Sequence, residues 1–241
     1  MLVAAAVCPH PPLLVPELAG TAAGELDGLR AACASAVDGL REARPDVLMV
    51  VGGADGAGTY GPGAAGSLAP WGADVRAGAG APVLPLSLTI GRRLLEEGGL
   101  SASAFHAVPF DASRQECAAL GAALADRADR VAMLVMGDGS ARLTEKSPGY
   151  LDARARPYDE EIARTLARGE VPDLDPAEAA ELWVAGRAAF HVLAAAAAGI
   201  GSGSGSGRGS APGGSFDGEV LYHDAPYGVG YVVALLRSRS A

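Results

Sequence analysis

Residues 131–150 read VAMLVMGDGSARLTEKSPGY, and the first ten of them decide the fold. Val131–Met136 is an apolar, partly β-branched run of the length expected for a buried strand. It breaks into Gly137-Asp138-Gly139-Ser140, a turn that sets polar groups on the rim of a sheet. In open α/β sheets that rim, outside the carboxyl ends of the strands, is where ligands bind. Similar runs lie upstream: residues 2–7, stopped by Pro9, Pro11 and Pro12, and residues 46–51. Short segments that are apolar throughout fit central parallel strands, which are buried on both faces.

Helical patterns alternate with these strands. Leu26, Leu29, Ala32 and Val37 give residues 24–40 a helical stripe. Residues 87–97 place Arg92, Arg93, Glu96 and Glu97 on a wet side. Residues 113–128 open on Ser113 with Glu116 three positions later, a capping box. Residues 157–168 start on Pro157 with Asp159, Glu160 and Glu161 in the dipole-favoured first turn. Residues 177–198 follow an Asp175-Pro176 cap pair. A strand is expected at residues 105–108, and a closing pair at residues 218–222 and 230–236 that returns to the same sheet. Residues 52–80, Gly-rich with Pro62 and Pro70, read as a long loop, and residues 201–215 (GSGSGSGRGSAPGGS) as a flexible one. The expectation is a single α/β domain over residues 1–241, with a mostly parallel central sheet and helices on both faces.

Composition narrows the function classes. The 241 residues carry a formal net charge of −9, which argues against nucleic acid as a partner because phosphate binding needs clustered Lys and Arg. Lys146 is the single lysine against eighteen arginines, which with the Ala and Gly excess reads as a coding bias. Cys8, Cys33 and Cys117 are scattered and odd in number, which suggests a reducing cytoplasm and no disulfide scaffold. The N-terminal apolar run lacks a basic flank, so it does not read as a signal peptide. No apolar run reaches the roughly 20 residues of a membrane span, so no membrane partner is expected.

The chemistry-bearing motifs each have a plain reading beside the functional one. Gly56-Ala-Gly-Thr-Tyr-Gly61 matches the dinucleotide fingerprint, but Pro62, Gly63, Gly66 and Pro70 follow where a helix would have to start. Ser140 after a strand suggests a hydrolase nucleophile with Asp138 and His223. However, Asp138 and Arg142 stand where the nucleophile elbow needs glycine, so Asp138 and Ser140 also read as groups that satisfy turn amides. His10, framed by Pro9 and Pro11 at the end of the first strand, is the best single metal-ligand candidate. His223, before Asp224-Ala-Pro226, could reach the same rim. His191 reads as a packed helix residue and His106 as a strand residue.

Four ordered segments together resemble the class III extradiol ring-cleavage dioxygenase (LigB-like) superfamily, closest to its actinobacterial stand-alone type. They are Cys8-Pro-His10-Pro-Pro-Leu-Leu-Val-Pro-Glu17; Pro45-Asp-Val-Leu-Met-Val-Val51; Gly137-Asp-Gly-Ser-Ala-Arg-Leu-Thr-Glu-Lys-Ser-Pro-Gly-Tyr150 with Pro157-Tyr-Asp159; and Tyr222-His-Asp-Ala-Pro-Tyr-Gly-Val-Gly-Tyr231. The resemblance implies a single α/β domain with its site at the strand ends. It implies two histidines and a glutamate holding Fe(II), with open positions for a catecholate and O₂, and a further histidine as acid/base. His10 matches the first ligand. The second histidine should follow residues 46–51, where Gly52-Gly53-Ala54-Asp55 stands, leaving Asp55 as a substitute. Ala141 occupies the acid/base position, and Glu181 is the candidate for the glutamate.

The expectation is therefore a dioxygenase-like protein with a degenerate metal site. It would lack normal catechol cleavage and bind or act on a small molecule at a rim formed by His10, Asp55, Asp138 and Ser140. Two alternatives stay open. One is a metalloenzyme with a rebuilt set of His10, Asp55 and His223, with Fe(II) as the metal the family implies. The other is a non-catalytic assembly protein, since the family includes members that act as oligomers, which leaves a homo-oligomer open.

Overall fold

The computed structural model describes residues 1–198 and 216–239. In chain order the elements are β1 (Leu2–Cys8), α1 (Pro16–Ala19), α2 (Asp27–Glu42), β2 (Val47–Ala54), β3 (Gly58–Tyr60), β4 (Gly66–Ser67), β5 (Arg76–Ala77), α3 (Leu86–Glu97) and β6 (Ala104–Pro109). They continue with α4 (Arg114–Ala125), β7 (Val131–Met136), α5 (Ala155–Ala167), α6 (Pro176–Glu181), α7 (Arg187–Ala198), β8 (Phe216–Asp224) and β9 (Tyr231–Ser238).

Seven strands form one sheet in the order β3-β6-β2-β7-β1-β9-β8. The central strands β6, β2, β7 and β1 run parallel, as their unbroken apolar sequences require. The edges are antiparallel: β3 on β6, then β9 on β1 and β8 on β9. The C-terminal segment thus returns to the sheet as an antiparallel pair.

Side-chain alternation sends the two faces of each strand into different cores. From β7, Val131, Met133 and Val135 join α4, α5 and α7 on one face. Ala132, Leu134 and Met136 join α2 and α3 on the other. The molecule is an α/β domain with helices on both faces of a mixed, centrally parallel sheet. No helix among the described residues is long and apolar enough to cross a membrane.

Local chemistry sets several helix ends. Ser113 and Glu116 form the reciprocal capping box at the start of α4, and the Asp175 carboxylate accepts from the amides of Ala177 and Glu178 at the start of α6. Two expectations need correction. The helix expected over residues 177–198 is broken: α6 ends at Glu181, and a linker leads to α7 at Arg187. Trp183 in the linker takes a left-handed backbone (φ 57°), which no continuous helix accommodates. At its end, Gly186 lies so close to Gly137 that a Cβ on either would collide with the other's backbone. The loop expected over residues 52–80 holds the end of β2, the edge strand β3 and the small hairpin β4–β5. The Gly/Ser-rich segment at residues 201–215 lies outside the described residues.

Candidate functional site

The parallel strands bring their carboxyl ends together on one rim. β1 delivers His10, β2 delivers Gly52 and Gly53, β6 delivers Phe110, and β7 delivers Asp138 to Ser140.

His10 is buried, and its backbone N–H donates to Asp138 Oδ1 at 2.8 Å. Its ring Nδ1 lies 3.5 Å from the same oxygen, within ion-pair distance for a protonated ring, and is buried without a hydrogen-bond partner. Tyr231, at the start of β9, is the third member of this corner. Burial, and second the Asp138 carboxylate, push its phenol well above the usual range.

Ser140 is fully buried. Its hydroxyl donates to the Leu182 carbonyl at 3.0 Å and accepts from the Arg142 amide at 3.2 Å. It ties the turn to the α6–α7 linker and does not face solvent. Its own amide donates to Asp159 Oδ1 at 2.9 Å. Asp159, on α5, turns its carboxylate inward against Gly139 and Gly230, where Oδ2 has no hydrogen-bond partner. Desolvation pushes this carboxyl up to about 7, against a smaller lowering from the Ser140 amide. Sequence reading placed Asp159 in a helix's first turn and in a segment of the resemblance, and gave it no role in the site. The signal that could have found it is the Pro157-Tyr-Asp159 segment of the resemblance.

Among the described residues none of the other expected donors forms a hydrogen bond or ion pair with His10. Asp55 is exposed just beyond β2, and Glu181 is exposed and accepts from Arg154 Nη1 at 2.7 Å. His223 is exposed on β8 and opens onto a separate cleft of about 330 Å³ with Thr144, Arg156, Asp159 and Gly230. Among the described residues no three His, Cys, Asp or Glu side chains are placed to hold a metal ion, so His10, Asp55 and His223 form no ligand set here.

Gly52 and Gly53 stand where the resemblance puts a histidine, and they explain the shortfall in volume terms. A Cβ on Gly52 would meet Ser87 Oγ at 2.5 Å. A Cβ on Gly53 would meet the Phe110 ring at 2.5 Å and the Ala185 carbonyl at 3.0 Å. A side chain at either position would have to displace these neighbours. The residues present do not fit a two-histidine, one-carboxylate iron centre.

No known family's sequence profile matches the chain, and no curated protein matches it. Among solved structures it is similar to the crystal structure of the uncharacterized protein JW3007 from Escherichia coli K12. The two are 10% identical, the match covers 98% of this chain and 100% of that one, and the TM-score is 0.53. The likeness is one of fold.

Sequence reading missed a second feature of this rim. Phe110, Asp111, Ala180, Trp183, Val184 and Arg187 line a cleft of about 720 Å³ between the end of β6 and the α6–α7 linker. Arg187 is buried, and its guanidinium donates to the carbonyls of Phe110 and Ala112. Phe110 and Trp183 remain 44% and 55% exposed, so large aromatic surface faces this opening. The Gly186-Arg187 pair inside an apolar helical pattern was the available signal, because an isolated Gly there marks a packing or functional constraint.

Proposed function

We propose that this chain is a LigB-like protein that binds a small organic molecule at its strand-end rim and does not carry out extradiol ring cleavage. The observation that carries this reading is the filling of the Gly52 and Gly53 positions by Ser87, Phe110 and the Ala185 carbonyl. Among the described residues no third His, Cys, Asp or Glu joins His10 and Asp138 in a set that could hold a metal ion. Iron chemistry of the extradiol kind needs a facial set of three protein ligands with neighbouring open positions, and Ala141 supplies no proton-transfer group. Support for a retained binding role comes from the same rim: the 720 Å³ cleft lies within the range of roughly 300–1,000 Å³ typical of small-molecule sites.

The test is anaerobic reconstitution of the purified chain with Fe(II), desalting, and exposure to catechol, protocatechuate and air. The expected outcome is no stoichiometric retained iron and no yellow ring-fission absorbance. Sustained turnover lost on His10→Ala would overturn the reading.

A further inference from the structure

We infer that the cleft between the end of β6 and the α6–α7 linker binds an apolar monocarboxylate, anchored by Arg187. This rests on reading the strand-end rim as a small-molecule site, and it names the place on the rim and the class of ligand.

Arg187 is 4% exposed, and no carboxylate of the described residues comes within ion-pair distance of it. Its two hydrogen bonds go to main-chain carbonyls. Those bonds fix the plane of the guanidinium, and its other N–H donors have no partner among the described residues. A guanidinium removed from water and met only by neutral dipoles is under-compensated. A carboxylate is the group its planar fork accepts by paired, charge-assisted hydrogen bonds.

The walls specify the rest of the ligand. Pro176, Ala177, Ala179, Ala180 and Val184 offer aliphatic surface, and the rings of Phe110 and Trp183 are exposed beside it. Adjacent exposed aromatics around a concavity are what an apolar ligand covers. Trp183 is held there by a left-handed backbone that side-chain-bearing residues rarely adopt, a strain that clusters at ligand clamps. Asp111 shares the lining. Its negative charge opposes any anion in the cleft, and each further anionic group more, so the single carboxylate must be held by Arg187. The chain's net charge of −9 gives no general attraction for anions, so affinity must come from Arg187 locally.

The test uses the full chain carrying Trp71→Phe, which leaves Trp183 as the sole indole. Octanoate and octanamide are titrated by Trp183 emission and by calorimetry. Octanoate should bind about tenfold or more tightly than octanamide, the difference expected for a hydrogen-bonded charge. Arg187→Gln should weaken octanoate by about tenfold more than it weakens octanamide, so that the two bind within about twofold of each other. Because Arg187 is buried and that variant could fail to fold, Ala180→Phe at an exposed position supplies an independent check: it should block both ligands with the circular dichroism spectrum intact. Equal binding of octanoate and octanamide would overturn the role of Arg187 while leaving the rim a small-molecule site. Octanoate binding unaffected by Ala180→Phe would overturn the location. Binding of neither at millimolar concentration would overturn both readings, and a shift to monomer on Ala180→Phe in sedimentation would identify the cleft as a contact between copies of the chain.

Discussion

Asp159 is held in a position that works against its charge. The folded chain keeps this carboxyl protonated up to about pH 7, whereas its ordinary value is 3.8. A carboxyl raised on folding contributes stability that is fully present below about pH 4. That contribution is lost as pH rises through 7, because the unfolded chain releases the proton first. Each pH unit in that window is worth about 1.4 kcal/mol for one such group. Asp159→Asn retains an acceptor for the Ser140 amide and removes the titration. The difference in urea midpoint between the wild type and this variant should therefore shift in the variant's favour from pH 4 to pH 7 and level off above it. The neighbouring Arg156, Tyr158, Glu160, His223 and Asp224 are common to both proteins, so their titrations cancel in the difference. A difference independent of pH would show that Asp159 ionises normally.

At the scale of elements, much of the architecture follows from local pattern. β7 occupies the expected residues, the Ser113 capping box is in place, and Asp175 caps α6. Removing that cap with Asp175→Ala should cost about 1 kcal/mol, a fall in Tm of about 2–4 °C for a chain of this size, read by calorimetry. What the sequence left hidden depends on contacts distant along the chain. β3 is three residues of Gly-Thr-Tyr whose strand character is fixed by pairing with β6; Thr59 and Tyr60 favour extended backbone, but so short a run among glycines does not announce a strand. The break between α6 and α7 is imposed by the close approach of Gly186 to Gly137, while the Ala-rich run around it favours helix. The site was legible in the same partial way. The Asp138 turn and His10 could be placed on one rim because each follows directly on an apolar strand. The Phe110, Trp183 and Arg187 cleft could not, because its residues meet only once that helix is broken.

Over the whole molecule, one sheet serves two apolar layers. Leu134 faces α2 and α3, and Phe190 on α7 faces the opposite layer. Both layers are built on the seven-stranded sheet, so the two should melt together. Trp71 lies beside the β4–β5 hairpin and Trp183 in the α6–α7 linker, so the single-tryptophan variants Trp71→Phe and Trp183→Phe report on different regions. Their urea transitions should coincide with each other and with circular dichroism. Leu134→Ala, which removes a buried side chain at a cost of about 2–5 kcal/mol, should move both by the same amount. Separate midpoints would mean that one layer unfolds alone.

The packing of Gly53 beneath Phe110 also bears on how this rim can change. A donor side chain introduced at position 53 meets an aromatic ring and a main-chain carbonyl, and overpacking of that kind costs about 1–3 kcal/mol. Position 53 can therefore grow only if the half-exposed Phe110 ring swings aside or shrinks and the Ala185 carbonyl gives as well. Either change alters a wall of the neighbouring cleft. What stands at position 53 and what the cleft can hold are thus coupled through one side chain.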